Sequence, residues 1–408
     1  MQLLPLALRS LARNKRRSAL TMAAVTVGVA VVVFAHAFIT GFLDSMTAQT
    51  IQARTGHLQV HRVGYLEALD AAPLNIHMVD GGDLLKTIQG VPGVTGVSRR
   101  LRFGGMASNG SKSSMVVVTA FDVEQEAVVC PARAGEFAGG GQGHALNNNG
   151  AMDVVLGGEL ARGMGLKPGG AITVTASGRE GGMNALDLNI TGVTRGAALF
   201  ESKRSAMVPL AVAQQLTQME GKVTEYALAV DARHSPDVVA AALRQALGAD
   251  YEVSTWMELS PFLRDAIFRV RVILGSLGFI LFLMVVFIIV NTMAMNVHER
   301  TREIGTMLAV GVRRRQVLLL FLLEAILLGI FGGLLGVAVG WSLAQGLAVT
   351  GGVQISPPGA AFKQVILPYP NTLLSFATIA AAMLAAMLAA ARPARTASRL
   401  HPAEALRV

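Results

Sequence analysis

Cysteine is almost missing. Cys130 is the only one, so no disulfide can form within the chain, and it gives no indication of redox compartment. Charge is scarce as well: Asp, Glu, Lys and Arg make up 15% of the 408 residues against 52% hydrophobic residues, and mean hydropathy is +0.50. An ordinary soluble protein carries about 25% charged residues, so that class does not fit. Nucleotide-binding and hydrolytic motifs are missing too. The only Gly-Lys pair, Gly221-Lys222, is followed by valine and lacks the preceding glycine of a phosphate loop. His298-Glu299 starts like a zinc-protease helix, but Arg302 stands where the second histidine is required. No serine or histidine lies in a nucleophile-elbow context. These absences leave no catalytic residue, no metal-ligand set and no cofactor to assign to the chain.

What is present is apolar sequence in long runs. Ala19–Ile39, Val272–Val290, Val317–Val339 and Leu373–Ala391 are each long enough to be helices that cross a membrane. About 20 residues at about 1.5 Å rise span a hydrocarbon layer of about 30 Å. The first run is too long for the apolar core of a signal peptide and has no clean cleavage site after it, so it reads as a retained helix.

The formal charge of +9 is distributed unevenly. Fourteen of the 35 basic residues lie in three short segments that flank the apolar runs: Arg9 to Arg17, Arg300 to Arg315, and Arg392 to Arg407. Only three acids, Glu299, Glu303 and Glu404, accompany them, which gives these segments +11 and the rest of the chain −2. Basic residues gathered beside apolar runs on one side are the positive-inside pattern. No long basic face remains to bind nucleic acid.

Together these patterns predict an α-helical membrane protein with four transmembrane helices and a large α+β extracytoplasmic domain inserted between helices 1 and 2. The predicted order is an amphipathic lead-in at 1–17, with Leu3, Leu4, Leu8 and Leu11 on one face; the first helix and its stalk at 18–55; the α+β domain at 56–259; the second stalk and helix at 260–297. A cytoplasmic segment at 298–314 follows, then the third helix at 315–340, an external loop at 341–371, the fourth helix at 372–392 and a cytoplasmic tail at 393–408. Both termini are expected in the cytoplasm. Within the domain, GGDLLKTIQGVPGVTGVSRR and SPDVVAAALRQALGADYEVST both read as helix, glycine turn, strand, which suggests a duplicated unit with a second subdomain inserted between its copies. Ala138–Gly150 reads as a Gly- and Asn-rich loop.

Two features of the membrane part stand out. Glu324 is a carboxylate inside an apolar run, expensive there unless it faces protein or water. A proton relay is one reading; we favour a structural acid paired with a nearby basic residue such as Arg313 or Arg315. Gly332, Gly336 and Gly340, with Gly329 and Gly333 beside them, form small-xxx-small stripes that allow close helix packing.

The segment His298–Gly311 has apolar Ile304, Met307 and Leu308 set among Glu299, Arg300, Arg302 and Glu303, the pattern of a short helix along a membrane surface. Its sequence, with the acid Glu324 and the glycine run that follow, resembles the C-terminal membrane module of FtsX-like ABC permeases, which include MacB-type and LolC/LolE-type proteins. The matching positions are Glu299, Arg300, Arg302, Glu303, Ile304, Gly305, Met307, Ala309 and Gly311. The tail ARPARTASRLHPAEALR, the opening LALRSLARNKRRSALTMAAVTVGVA and the stretch VVLGGELARGMGLKPGGAITVT resemble other parts of the same family. The resemblance implies an inner-membrane permease that works with a separate cytoplasmic ABC ATPase carrying the ATP and Mg, and with a second permease copy or related permease. It implies that those nine positions couple to the ATPase and that the work is done outside the membrane, on a lipoprotein or other amphipathic cargo. Further implied partners are membrane lipid and a periplasmic adaptor or lipoprotein acceptor. Two alternatives stay open: a non-transporting transducer that activates a periplasmic partner such as a cell-wall hydrolase, and a split MacB-type efflux permease.

Overall fold

Long apolar runs have no cheaper arrangement than a helix, because it satisfies every backbone donor and acceptor internally where water is absent. The computed structural model describes residues 3–13, 15–68, 72–133, 142–148, 151–194, 203–355 and 364–399. In chain order it shows α1 (Leu3–Arg13), α2 (Lys15–Thr50), β1 (Leu58–Arg62), β2 (Met78–Val79), α3 (Gly82–Gly90), β3 (Val94–Ser108), β4 (Ser113–Phe121) and α4 (Val123–Val129). Next come β5 (Gln142–Gly143), β6 (Asp153–Gly157), α5 (Gly158–Met164), β7 (Ala171–Ser177), β8 (Met183–Thr194), β9 (Ser205–Pro209), α6 (Leu210–Thr217), β10 (Lys222–Val223) and β11 (Glu225–Val230). The chain closes with α7 (Pro236–Leu247), β12 (Tyr251–Thr255), α8 (Trp256–Leu259), α9 (Pro261–Glu299), α10 (Thr301–Ala309), α11 (Arg314–Val349), β13 (Val353–Ile355), β14 (Gln364–Ile366) and α12 (Thr372–Ser398). Two units result, one helical (1–44, 266–353 and 365–408) and one mixed (45–265 with 354–364).

Four helical stretches, Ser18–Thr55, Pro261–Glu299, Arg314–Val349 and Thr372–Ser398, are long and apolar enough to cross a membrane. In the helical unit α11 is the centre, and its glycines explain how. A Cβ added at Gly332, Gly336 or Gly340 would meet α2 at Val25, Val29 or Val33 within 3.0 Å. One added at Gly329 would come 3.1 Å from Ala382 and Met383 backbone, and one at Gly333 would touch Ile379, both on α12. The five glycines are therefore two stripes on two faces, each seating a different helix. Thr26 on α2 donates to the Gly332 carbonyl at 3.3 Å, and Trp341 Nε1 donates to Ser375 Oγ on α12 at 2.8 Å. Gly336 is the tightest position: its Cβ would lie 2.6 Å from Val29 Cβ and 2.8 Å from the Thr26 carbonyl, so neither helix could yield without moving backbone. Gly336→Val is expected to cost about 3 kcal/mol or more by overpacking. Gly346→Ala, with nothing within 4 Å, should be neutral. Thermal unfolding of both variants in detergent checks this, and equal melting temperatures would contradict it.

Several boundaries differ from the expected ones. The third long helix runs on to Val349 instead of ending at 340, because Trp341–Val349 keeps helical composition after its hydropathy falls. It stops where Gly351 and Gly352 take left-handed φ values of 93° and 76°. The expected external loop at 341–371 thus shrinks and contains the β13–β14 pair, with 356–363 outside the described residues. The fourth helix passes through Arg392 and Pro393 to Ser398, so the expected tail begins as helix. The ring at Pro393 removes one backbone donor, yet Ala390, Pro393, Ala394 and Ala397 are all buried, and packing holds the helix together. In α1, Ala7 is buried and Leu11 packs half-buried against the helical core, while Leu4 and Leu8 are exposed.

The mixed unit contains the suspected duplication. β1–α3–β3 and β11–α7–β12 are its two copies, and their strands interleave as β12-β1-β11-β3 with every neighbour antiparallel. This is a split βαβ arrangement. Ile88 of α3 and Val239, Ala240 and Leu243 of α7 bury their apolar stripes in the same core as β1 and β11. The inserted part grows from the long strand β3. From β3 the pairing runs through β4, β9, β6, β8 and β7 and returns to β3, closing a six-stranded ring in which β4–β9 and β6–β8 are parallel. Within the expected loop Ala138–Gly150, Gln142 and Gly143 instead pair with β8 as the short strand β5, because their backbone groups complete the edge of that strand; 144–148 carry no helix or strand, and 138–141 with 149–150 lie outside the described residues.

Candidate functional site

The charged segment after α9 forms because the helix breaks at one residue. Arg300 leaves helical geometry (φ −102°, ψ 13°), and α10 restarts at Thr301. Ile304 and Gly305 are buried, and Met307 and Leu308 pack half-buried against the same helical core. Their i, i+3, i+4 spacing puts them on one face. Gly311 then turns the chain with φ +98°, a conformation glycine adopts without cost. The Arg313 N–H donates to the Gln316 side chain at 3.0 Å as α11 begins.

Charge fixes this segment to its neighbours. Arg300 donates to Glu303 at 3.0 Å, to Glu324 on α11 at 3.1 Å and to Ser10 on α1 at 2.6 Å, and its guanidinium lies over the Phe321 ring. Glu303 also accepts from Arg13 on α1. Burial works against the charge on Arg300, but Glu324 and Glu303 outweigh it and raise its pKa. For Glu303 the hydrogen bond from Arg13 comes first, and with Arg300 it holds the carboxyl below its ordinary value.

The nine positions at 299–311 therefore divide in two. Arg300, Glu303, Ile304, Gly305 and, in part, Met307 anchor the segment. Arg302 and Ala309 face outward with Thr306 and with Val310, an apolar side chain 87% exposed. Glu299 and Gly311 are exposed as well. Glu324 is buried and ion-paired, and its partner is Arg300 instead of Arg313 or Arg315. Arg313 caps α11 and Arg315 lies on its first turn, roughly 14 Å or more from Glu324 along the axis at about 1.5 Å per residue.

A second charged cluster, unforeseen from sequence, lies in the mixed unit. Arg100 on β3, 1% exposed, pairs with both oxygens of Glu126 on α4 at 2.9 and 2.7 Å, and reaches Glu225 on β11 at 3.4 Å. Arg133 lies 3.0 Å from Glu126, and Ser98 donates to the same carboxylate at 2.6 Å. Burial alone would raise the pKa of both acids, but the arginines reverse it for Glu126, and the neighbouring His61 ring, 3.7 Å away, followed by Arg100, brings Glu225 down to about 2. Burial pushes the Cys130 thiol up beside them, so it is unreactive. The available signal was Asp122, whose side chain caps α4 three residues before Gln125. Among the described residues no group of His, Cys, Asp and Glu could hold a metal.

Comparison with known proteins completes the picture. The MacB-like periplasmic core domain matches residues 18–246, and the FtsX-like permease C-terminal model matches residues 275–402. The macrolide export ATP-binding/permease protein MacB of Bdellovibrio bacteriovorus is 27% identical over 98% of this chain and 60% of its own length. The uncharacterized ABC transporter permease YknZ of Bacillus subtilis is 31% identical over 38% of this chain and 36% of its own. The periplasmic region of MacB from Actinobacillus actinomycetemcomitans covers 53% of this chain and 94% of that structure at 12% identity, with a TM-score of 0.38. The chain thus spans about 60% of the length of the Bdellovibrio relative.

Proposed function

We propose, from the premise that this chain belongs to the MacB-like periplasmic core domain family and carries an FtsX-like permease module, that it is the permease subunit of an ABC transporter driven by an ATPase on a separate chain. The observation that carries this is the construction of α10. It is fixed from behind by Ile304 and the Arg13–Glu303–Arg300–Glu324 chain of charges, and it presents Arg302, Thr306, Ala309 and Val310 outward. A rigid helix with an exposed mixed face is what a motor needs to push against, and residues 1–408 contain no phosphate loop of their own.

In this reading α10 and both termini face the cytoplasm of an inner-membrane protein, and the mixed unit lies in the periplasm. ATP-driven movement of α10 passes along α2 and α9 to the mixed unit, which does the work there without a central channel. A second permease copy would cover the apolar face that α9 leaves exposed at Phe279, Leu283 and Phe287. Lipoprotein release is the cargo we infer from the sequence resemblance, with a periplasmic adaptor or lipoprotein acceptor downstream. The names of relatives, a macrolide exporter and, at 34% identity over 38% of this chain, a pyoverdine exporter in Pseudomonas entomophila, favour small-molecule efflux as the second reading.

Purifying the full chain from membranes in mild detergent should recover an ABC ATPase, and Arg302→Glu with Val310→Asp should lose it while the chain stays folded. Recovery of no ATPase with the wild-type chain would sink the reading. Gly305→Trp is unsuitable for this purpose, because Gly305 is buried and the variant would break packing instead of docking.

A further inference from the structure

Beside the buried Arg100–Glu126–Glu225 cluster, the mixed unit opens into a cavity of about 370 Å³. Among the described residues five arginines line it, Arg54, Arg100, Arg102, Arg133 and Arg204, and Glu225 is the one acid. The sheet generates this arrangement. Arg100 and Arg102 alternate onto one face of β3; Arg102 stands opposite Thr119 on β4, and Val117 on β4 opposite Ser205 on β9. The basic row therefore runs across neighbouring strands and ends at Arg204, immediately before β9.

These arginines are not equally engaged. Arg100 and Arg133 are held by Glu126, with Glu225 also on Arg100. Arg133 further donates to the carbonyls of Ala53 and Arg54 at 3.0 and 3.1 Å. The guanidinium groups of Arg102, half-buried, and Arg204, exposed, have no hydrogen bond or ion pair among the described residues; Arg102 meets Glu225 only through its field. The rest of the lining adds hydroxyls at Thr119, Ser205 and Ser260, while the Thr55 hydroxyl already donates to the Gly56 carbonyl at 2.8 Å. Among the described residues, guanidinium forks and hydroxyls surround a space whose one acid already faces Arg100 at 3.4 Å, a setting that disfavours a cation. They match the several acceptor oxygens of a phosphate group.

We propose that this cavity is a binding site for a phosphate group, carried either by a phospholipid headgroup or by free inorganic phosphate, with Arg102 and Arg204 as its principal contacts. Its lining includes Thr55, which ends the π-helical turn after α2, and Ser260, which immediately precedes α9, both within the mixed unit. This inference does not depend on the permease reading.

The test uses the full chain in neutral detergent, titrated by calorimetry with sodium phosphate and, separately, with dihexanoyl phosphatidylglycerol, at matched ionic strength. Saturable binding of at least one probe is expected, weakened tenfold or more in Arg102→Gln/Arg204→Gln, while Lys112→Gln binds like the wild type. Arg204→Gln alone, at an exposed position that should not disturb folding, is expected to weaken binding by a smaller factor. Binding of phosphate in both forms or of phosphate alone assigns the free anion; binding of the lipid alone assigns the headgroup. No saturable binding of either probe, or wild-type affinity in both arginine variants, would overturn the proposal.

Discussion

Arg300→Met is expected to lower the apparent melting temperature of the purified chain by about 10 °C. The variant leaves Glu324, whose side chain is 3% exposed, without its ion-pair partner inside the helical unit. Breaking one half of a buried pair costs about 3–5 kcal/mol, because the remaining charge has lost its hydration and gains nothing in return. In a unit of this size each kcal/mol is worth about 2–4 °C. The effect should be conditional. Arg300→Met combined with Glu324→Leu removes both charges and should recover most of the loss, since an apolar pair of similar volume is often neutral there. An exposed ion pair would behave differently, at about 1 kcal/mol or less for either single change. A drop below about 2 °C in Arg300→Met, or no recovery in the double variant, would show that the charge chain does not anchor α10.

The second large effect lies in the mixed unit. Glu126→Gln should cost about 3–5 kcal/mol, because Arg100 is then fully buried with only Glu225, at 3.4 Å, left to balance it. The acid dependence gives an independent check. Glu126 and Glu225 both have pKa values lowered from 4.5, Glu225 to about 2. A carboxyl whose folded pKa is depressed contributes stability that is fully present above its unfolded value and lost as pH falls toward its folded one. The wild-type urea midpoint should therefore respond little to these groups above pH 5 and fall between about pH 4.5 and 2. The Glu126→Gln variant should start lower and fall less steeply, having lost one of the two groups. An unchanged acid slope in the variant would contradict the assignment.

The two charge networks show where sequence reading reaches its limit. Four long helices and the break between the second and third were legible because hydropathy and charge vary along the chain itself. The glycine stripe was legible as packing for the same reason. What α11 packs against was not, because a spacing of four residues specifies a face and says nothing of the helix that occupies it. Glu324 was legible as an acid needing a partner, yet proximity in sequence pointed to Arg313 and Arg315. Its actual partner comes from the bend 24 residues earlier, where the chain leaves α9. Arg100 and Glu126 were invisible for a related reason: each is unremarkable alone, and only the pairing of β3, α4 and β11 brings them together. The helix–strand echo was faint in sequence but real in the fold, since interleaved strands need only a shared apolar pattern. The hydropathy pattern misplaced the ends of α11 and α12, because a helix leaving an apolar layer has no reason to stop there.

In the proposed function, the outward face of α10 transmits work from an ATPase to the rest of the chain. The most direct measurement is ATP hydrolysis in proteoliposomes that contain the ATPase recovered with the wild-type chain, added back to either the wild-type chain or Arg302→Glu/Val310→Asp. The wild-type chain should raise the hydrolysis rate, and the variant, inserted and folded with an unchanged melting temperature, should lose at least ten-fold of that stimulation. Full stimulation by the variant would contradict the proposed function.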